Sequence, residues 1–282
     1  MIESALVERL RRVRLIARRR FRGAGSGDRA SAETGGRTEF SGHRGYGPGE
    51  DYRDIDWNLA ARHDQLFVRE YRREEGVPVR VVLDASASMS DKFDFARRVA
   101  AAIGAVAVHR RQIVEVWRAC GDRVDSCRRF SGAAAVADLF GHLAGFSAGG
   151  AMELGEAIRD ARARSPRSAL TYWLTDGYGG EATNREVAAL ARRSDDPVVL
   201  LVSAPEEIDP PWEGNLRLED AETGEALEVA LGPAEREAYR AAYVRFVEAW
   251  RTRCLSSGIR FAWLRSDLPL EDVFFDVLAR AR

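Results

Sequence analysis

The chain has 282 residues, enough to bury a full core in one large domain or two small ones. Its 43 Lys and Arg against 44 Asp and Glu leave a formal charge of −1, so no global field points to nucleic acid or to an anionic membrane. Lys92 is the one lysine among those cations, and no GxxxxGK[ST] phosphate loop surrounds it.

Cys120, Cys127 and Cys254 are too few and too scattered for a disulfide framework or a CxxC metal pair, which reads as a reducing compartment. No stretch approaches the roughly 18 uncharged apolar residues of a membrane span, and the N-terminus has no apolar export region. The expectation is a cytoplasmic protein without a transmembrane segment.

Leu6, Leu10, Val13, Ala17 and Phe21 recur at helical spacing among arginines, so the N-terminus reads as an amphipathic basic helix. It either docks on an acidic partner or membrane surface, or packs on its own domain. Residues 22–50 are glycine-rich loop. The stretch "GHRGYGPGEDYRDIDWNLAARHDQLFVREY" then crowds rings and charges, among them Arg44, Tyr46, Asp54, Asp56, Trp57 and Arg62. A flexible linker would not carry them. They read either as an ordered cap or as a partner-binding surface. "QLFVREY" at 65–71 reads as a strand.

From residue 77 strands and helices alternate. "VRVVLD" at 79–84 is a buried strand, and a long helix with an apolar face starts at Phe93. "IVEVWRA" and "RVDSCRRF" are strands joined by a tight turn at Gly121 and Asp122. Helices follow near 133–144 and 153–163, then strand 169–176, a helix near 184–193 and strand 197–203. A hairpin around Thr223 and Gly224 marks an insertion at about 213–231. A helix over 234–256, a strand "IRFAWLR" and a last helix from 269 complete the chain. This alternation predicts an α/β fold with a doubly wound, mostly parallel sheet. The expected organisation is an N-terminal extension, 1–76, and one domain, 77–282.

Ligands bind such sheets at the carboxyl ends of the strands. Asp84 ends one strand in "VVLDASASM" and Asp176 ends another in "WLTDGYGG". Residues two apart in extended chain point the same way, so Asp84, Ser86 and Ser88 aim three oxygens at one point. Hard oxygens of this kind suit Mg²⁺, and two carboxylates leave it under-neutralised, open to an acidic side chain from a protein ligand. The competing reading makes Ser86 and Ser88 helix caps and Asp176-Gly177 a plain turn. His43, His63, His109 and His142 form no metal-binding spacing.

DxSxS after an apolar strand, with a later strand ending in Asp, resembles the metal-ion-dependent adhesion site of von Willebrand factor A domains. The run "HRGYGPGEDYRDIDWNLAARHDQLFVREYRREE", with "EDAETGEALEV" and "YRAAYVRFVEAWRTRCLSSGIRFAWLRSDLPL", is similar to the bacterial family called domain of unknown function 58, typically encoded beside MoxR-type AAA+ ATPases. The resemblance covers about residue 40 to the end. It implies a von Willebrand factor A-like, Rossmann-like fold and a non-catalytic adaptor or chaperone-like partner of such an ATPase. It puts metal ligands at Ser86 and Ser88, with direct or water-linked carboxylates at Asp84 and Asp176. Many members carry N-terminal membrane segments, which this sequence lacks. The family site also takes a threonine from a second loop; "SAGGAMELGEAI" has Ala151 there, with Ser147 and Glu153 as nearby substitutes.

The alternative is a Mg²⁺-dependent phosphatase of the haloacid dehalogenase type with Asp84 as nucleophile. Such an enzyme needs an acid two residues on, where this chain has Ser86.

Overall fold

The computed structural model describes residues 9, 15, 38–47, 55–63, 65–73, 77–121, 123–132, 134–150, 154–164, 169–178, 196–221 and 223–278. They fall into a unit within residues 31–76 and a larger one within residues 1–30 and 77–282. The smaller unit pairs β1 (Thr38–Gly45) antiparallel with β2 (Phe67–Arg73) and carries a short helix α1 (Trp57–His63). Ile55 bridges to Val68, and these two apolar side chains are buried together at its centre.

The larger unit is built on β3 (Val79–Asp84), buried at every position. A strand covered on both faces needs apolar side chains on both, hence the unbroken run Val81-Val82-Leu83. A 3-10 turn (Ala87–Lys92) leads into α2 (Phe93–His109), and β4 (Val114–Cys120) and β5 (Arg123–Phe130) follow. Next come α3 (Ala135–Ala144), α4 (Leu154–Arg164), β6 (Leu170–Thr175), β7 (Asp196–Ser203) and the one-turn α5 (Pro205–Ile208). The hairpin β8 (Gly214–Glu219) and β9 (Ala226–Leu231), the long α6 (Pro233–Ser256), β10 (Arg260–Arg265) and a helical segment over Leu270–Leu278 close the chain. The helix expected near 184–193 lies outside the described residues.

Six strands form one sheet in the order β10-β7-β6-β3-β4-β5, parallel except for β5. The fold is therefore α/β with a mostly parallel sheet. Val79, Val81 and Leu83 point to one face and pack with Val99, Ile103, Leu139 and Phe274. Val82, Trp117 and Trp173 point to the other and pack with Ile158, Tyr243, Val247 and Trp250. Helices thus cover both faces. Arg9 pairs with Glu271 and lies 5.5 Å over the Phe275 ring, and Leu15 packs on the first cluster, so these N-terminal residues belong to the larger unit. Among the described residues no helix is long and apolar enough to cross a membrane.

At the amino end of the sheet, Arg80 stands in register with Glu115 and Thr171, and Glu115 with Arg129. Arg80 Nε donates to Glu115 Oε2 at 3.0 Å and its guanidinium stacks 4.8 Å from the Trp117 ring. This charged rung, buried at Arg80, Glu115 and Thr171 and exposed at Arg129, crosses four strands and ties the edge strand to the centre.

Chain direction decides where a crevice opens. From β3 the sheet grows through β4 to β5, then the chain returns past β3 to build β6, β7 and β10 on its other side. Loops leaving β3 and β6 therefore part in opposite directions, and the gap between their carboxyl ends is the topological switch point.

Candidate metal centre

Asp84 is the last residue of β3 and Asp176 follows the last residue of β6, so both carboxylates flank that gap. They are 2% and 3% exposed. Asp84 Oδ1 accepts from the Ser86 backbone N–H (2.9 Å), and Oδ2 from the Thr175 hydroxyl (2.7 Å). Thr175 in turn accepts from the Gly177 N–H at 3.0 Å. Asp176 Oδ1 accepts from the Tyr178 N–H at 3.2 Å, so the plain-turn role is present as well. Burial, and then the neighbouring Asp176 charge, push the Asp84 carboxyl up from 3.8 to about 6.

The two serine hydroxyls meet at 2.9 Å. Ser86 stands at the start of the 3-10 turn, yet its side chain caps nothing, which removes the cap reading for that residue. A second loop is zipped onto this one: the Gly149 N–H donates to Ala85 O (2.9 Å) and the Ala87 N–H to Gly150 O (2.8 Å). Gly149 and Gly150 have positive φ, 154° and 89°. This loop leads directly to Ala151, which lies outside the described residues, as does Glu153. Ser147 is exposed, its carbonyl accepting from Arg118 at 3.5 Å.

Sequence reasoning gave Lys92 no place here. The structure buries it to 1% exposure, with Nζ 3.2 Å from Asp176 Oδ2, against Glu207 Oε1 and 5.4 Å from the Tyr178 ring centre. Asp176 Oδ2 has no aligned hydrogen-bond donor, so its contact with the ammonium is one of charge rather than a directed bond. Tyr178, 39% exposed, is stacked on Phe246 at 5.5 Å. The signal was present: Lys92 falls in the inward register of Met89, Phe93 and Ala96, a slot where an apolar residue is the rule. Thr175, a hydroxyl beside a strand-end acid, was legible in the same way.

The donor set fits a small hard cation. Octahedral Mg²⁺ with bonds of ~2.1 Å sets neighbouring ligands about 3.0 Å apart, close to the 2.9 Å between the hydrogen-bonded Ser86 and Ser88 oxygens. Asp176 Oδ2 is a buried carboxylate oxygen with no aligned hydrogen bond, its nearest cation the Lys92 ammonium at 3.2 Å. Among the described residues no three His, Cys, Asp or Glu side chains converge, so an ion here would rest on two carboxylates and neutral hydroxyls.

The residues expected to meet a partner belong to the smaller unit. Asp56 has a structural task, accepting from the Asn58 and Leu59 N–H groups at the start of α1 and bonding His43 at 2.9 Å. Trp57 is 61% exposed, Arg62 is exposed, and Tyr46 is half-buried. Arg44 lies in β1, its side chain outside the description; Asp54 is outside it altogether.

A family model matches residues 42–252, most of the chain. The chain belongs to the protein family of unknown function DUF58. An uncharacterized protein of Mycobacterium tuberculosis, Rv1480, is 27% identical to this DUF58 chain over 291 residues, 99% of this chain and 91% of its own length. Among solved structures, the conserved hypothetical protein BatB from Bacteroides thetaiotaomicron overlaps 70% of this chain and 93% of its own, at 18% identity and a TM-score of 0.40. An aerotolerance-related membrane protein from Bacteroides fragilis overlaps 67% and 91%, at 16% identity and a TM-score of 0.39.

Proposed function

We propose that this DUF58 chain is a non-catalytic, metal-dependent protein-binding module. It has a von Willebrand factor A-like, Rossmann-like domain and works in the cytoplasm as adaptor or chaperone-like partner of a MoxR-type AAA+ ATPase, in assembling or remodelling a protein complex. The observation that carries this reading is the convergence of Asp84, Ser86, Ser88 and Asp176 on the crevice at the switch point. Those four residues would hold Mg²⁺. When bound, the ion supplies a positive point at the crevice that an acidic side chain of a protein ligand completes. Thr175 fixes the Asp84 carboxylate, and the Gly149-Gly150 loop holds the serine loop in place. The ATPase partner rests on the family resemblance in the sequence.

Capture tests it. The immobilised chain, incubated with lysate of its native cell, should retain an AAA+ ATPase identified by mass spectrometry, dependent on nucleotide and Mg²⁺ and lost with Asp84→Ala. Absence of any ATPase counts against the reading. Against the phosphatase alternative, Ser86 stands where the general acid is needed, and Lys92 is engaged by two acids rather than free for a phosphoryl group. Turnover of a generic phosphate ester with Mg²⁺, abolished by Asp84→Asn, would reinstate that alternative.

A further inference from the structure

Lys92 is the cation in contact with both Asp176 and Glu207, and the Asp176 charge in turn acts on Asp84. A buried carboxylate without a counter-charge is costly, so Asp176 needs a cation whether or not a metal ion is bound. The turn Ala87–Lys92 provides one from within the chain. It begins beside Ser86 and carries Ser88, and it ends at Lys92, whose stem is buried with Met89 and Phe93. The ammonium lies between Asp176 and Glu207 under the Tyr178 ring. Glu207 is itself held: its Oε2 accepts from the Ala204 N–H at 2.7 Å, and its carbonyl accepts from the Tyr239 hydroxyl at 2.8 Å.

We propose that Lys92 is the resident cation of this site: it shares Asp176 with the divalent ion, keeps the crevice formed before the ion arrives, and sets how tightly the ion binds. This rests on the metal-dependent reading above. An ion held beside Asp176 would repel the ammonium, leaving Glu207 as its partner. Because Lys92 is on the same short turn as Ser88, a turn that begins beside Ser86, this competitor is always present at high effective concentration. Lys92 is a positioning residue and touches no reacting group.

The test is Mg²⁺ titration calorimetry on the full chain, with thermal unfolding in EDTA and in MgCl₂. Lys92→Met should bind Mg²⁺ at least tenfold more tightly than wild type, while its melting temperature in EDTA falls and Mg²⁺ restores it. Glu207→Gln should do the opposite. Its amide still accepts from Ala204, the fold persists, and Lys92 turns wholly onto Asp176, so the affinity falls severalfold. A lysine that merely fills space would lower stability without this pair of opposite shifts. Mg²⁺ binding to wild type with Lys92→Met unchanged or weaker overturns the proposal and leaves the metal reading standing. If Lys92→Met does not fold, Glu207→Gln decides: weaker binding supports the proposal, and equal or tighter binding overturns it. No Mg²⁺ response in any of the three proteins overturns both.

Discussion

Asp84→Asn tests the electrostatics of the crevice most directly. In the metal-free protein the Asp84 pKa rises from 3.8 to about 6. The folded value lies above the unfolded one, so the folded chain holds this proton more tightly between about pH 4 and pH 6. The group's contribution is complete below about pH 4, is lost as pH rises through about 6, and stays lost above. At roughly 1.4 kcal/mol per pH unit, the ionised carboxylate costs the metal-free fold on the order of 3 kcal/mol at neutral pH. Asparagine keeps the shape and never ionises. Its Oδ1 still accepts from the Ser86 N–H, but the Thr175 hydroxyl must turn from donor to acceptor, a loss of about 1 kcal/mol. Urea unfolding in EDTA should therefore find Asp84→Asn more stable than wild type by about 2 kcal/mol at pH 7.5. That gap should shrink to nothing or reverse near pH 4. Saturating Mg²⁺ should narrow it at neutral pH, since the ion stabilises only the protein that binds it. A gap independent of pH, or a variant less stable than wild type at pH 7.5, would refute the claim that Asp84 sits desolvated beside a like charge.

Gly177→Ala should destabilise by about 2–4 kcal/mol in chemical denaturation. Gly177 has φ 78°, and a Cβ there would meet Trp250 Nε1 at 2.6 Å and Leu201 Cδ1 at 2.7 Å. Glu115→Leu leaves Arg80 buried without its carboxylate and should cost about 3–5 kcal/mol, most of it recovered in the double variant with Arg80→Met. Trp57→Ala, at an exposed position, should leave stability within about 0.5 kcal/mol yet lower ATPase capture if the smaller unit is the docking surface. Ala151→Thr should tighten Mg²⁺ binding about tenfold by calorimetry, adding one neutral oxygen.

The strands of the sheet were legible because fully buried parallel strands read as continuous apolar runs; "VRVVLD" was placed residue for residue. The antiparallel pair β4 and β5 was legible from its turn, where Gly121 adopts φ 65°. Asp84 and Asp176 were legible because an acid ending an apolar strand has few other uses. Lys92 was legible only as a charge in an apolar slot, since its partners lie far along the chain: Asp176 follows β6 and Glu207 lies in α5, and no local pattern announces them. The rung of Arg80 and Glu115 was hidden similarly. Each alone is a charge in a buried strand, and only the register of β3 against β4 turns two costly residues into one satisfied pair.

Ala151 and Lys92 look unrelated in the sequence, but on the proposed reading they act on the ion in the same direction. Alanine in place of threonine withholds a neutral ligand, and the lysine withholds part of the Asp176 charge. Both weaken metal binding, and both leave a bound ion more positive than two free carboxylates would. An under-neutralised ion gains more from an incoming carboxylate, so the features that loosen the metal strengthen the demand for an acidic ligand. Binding equilibria are reciprocal, and a ligand that binds better with Mg²⁺ must tighten Mg²⁺ by the same factor. Weak metal binding in the isolated chain is then what a site built to be completed by its partner should show, and the affinity that matters is the one measured with an acidic ligand in place.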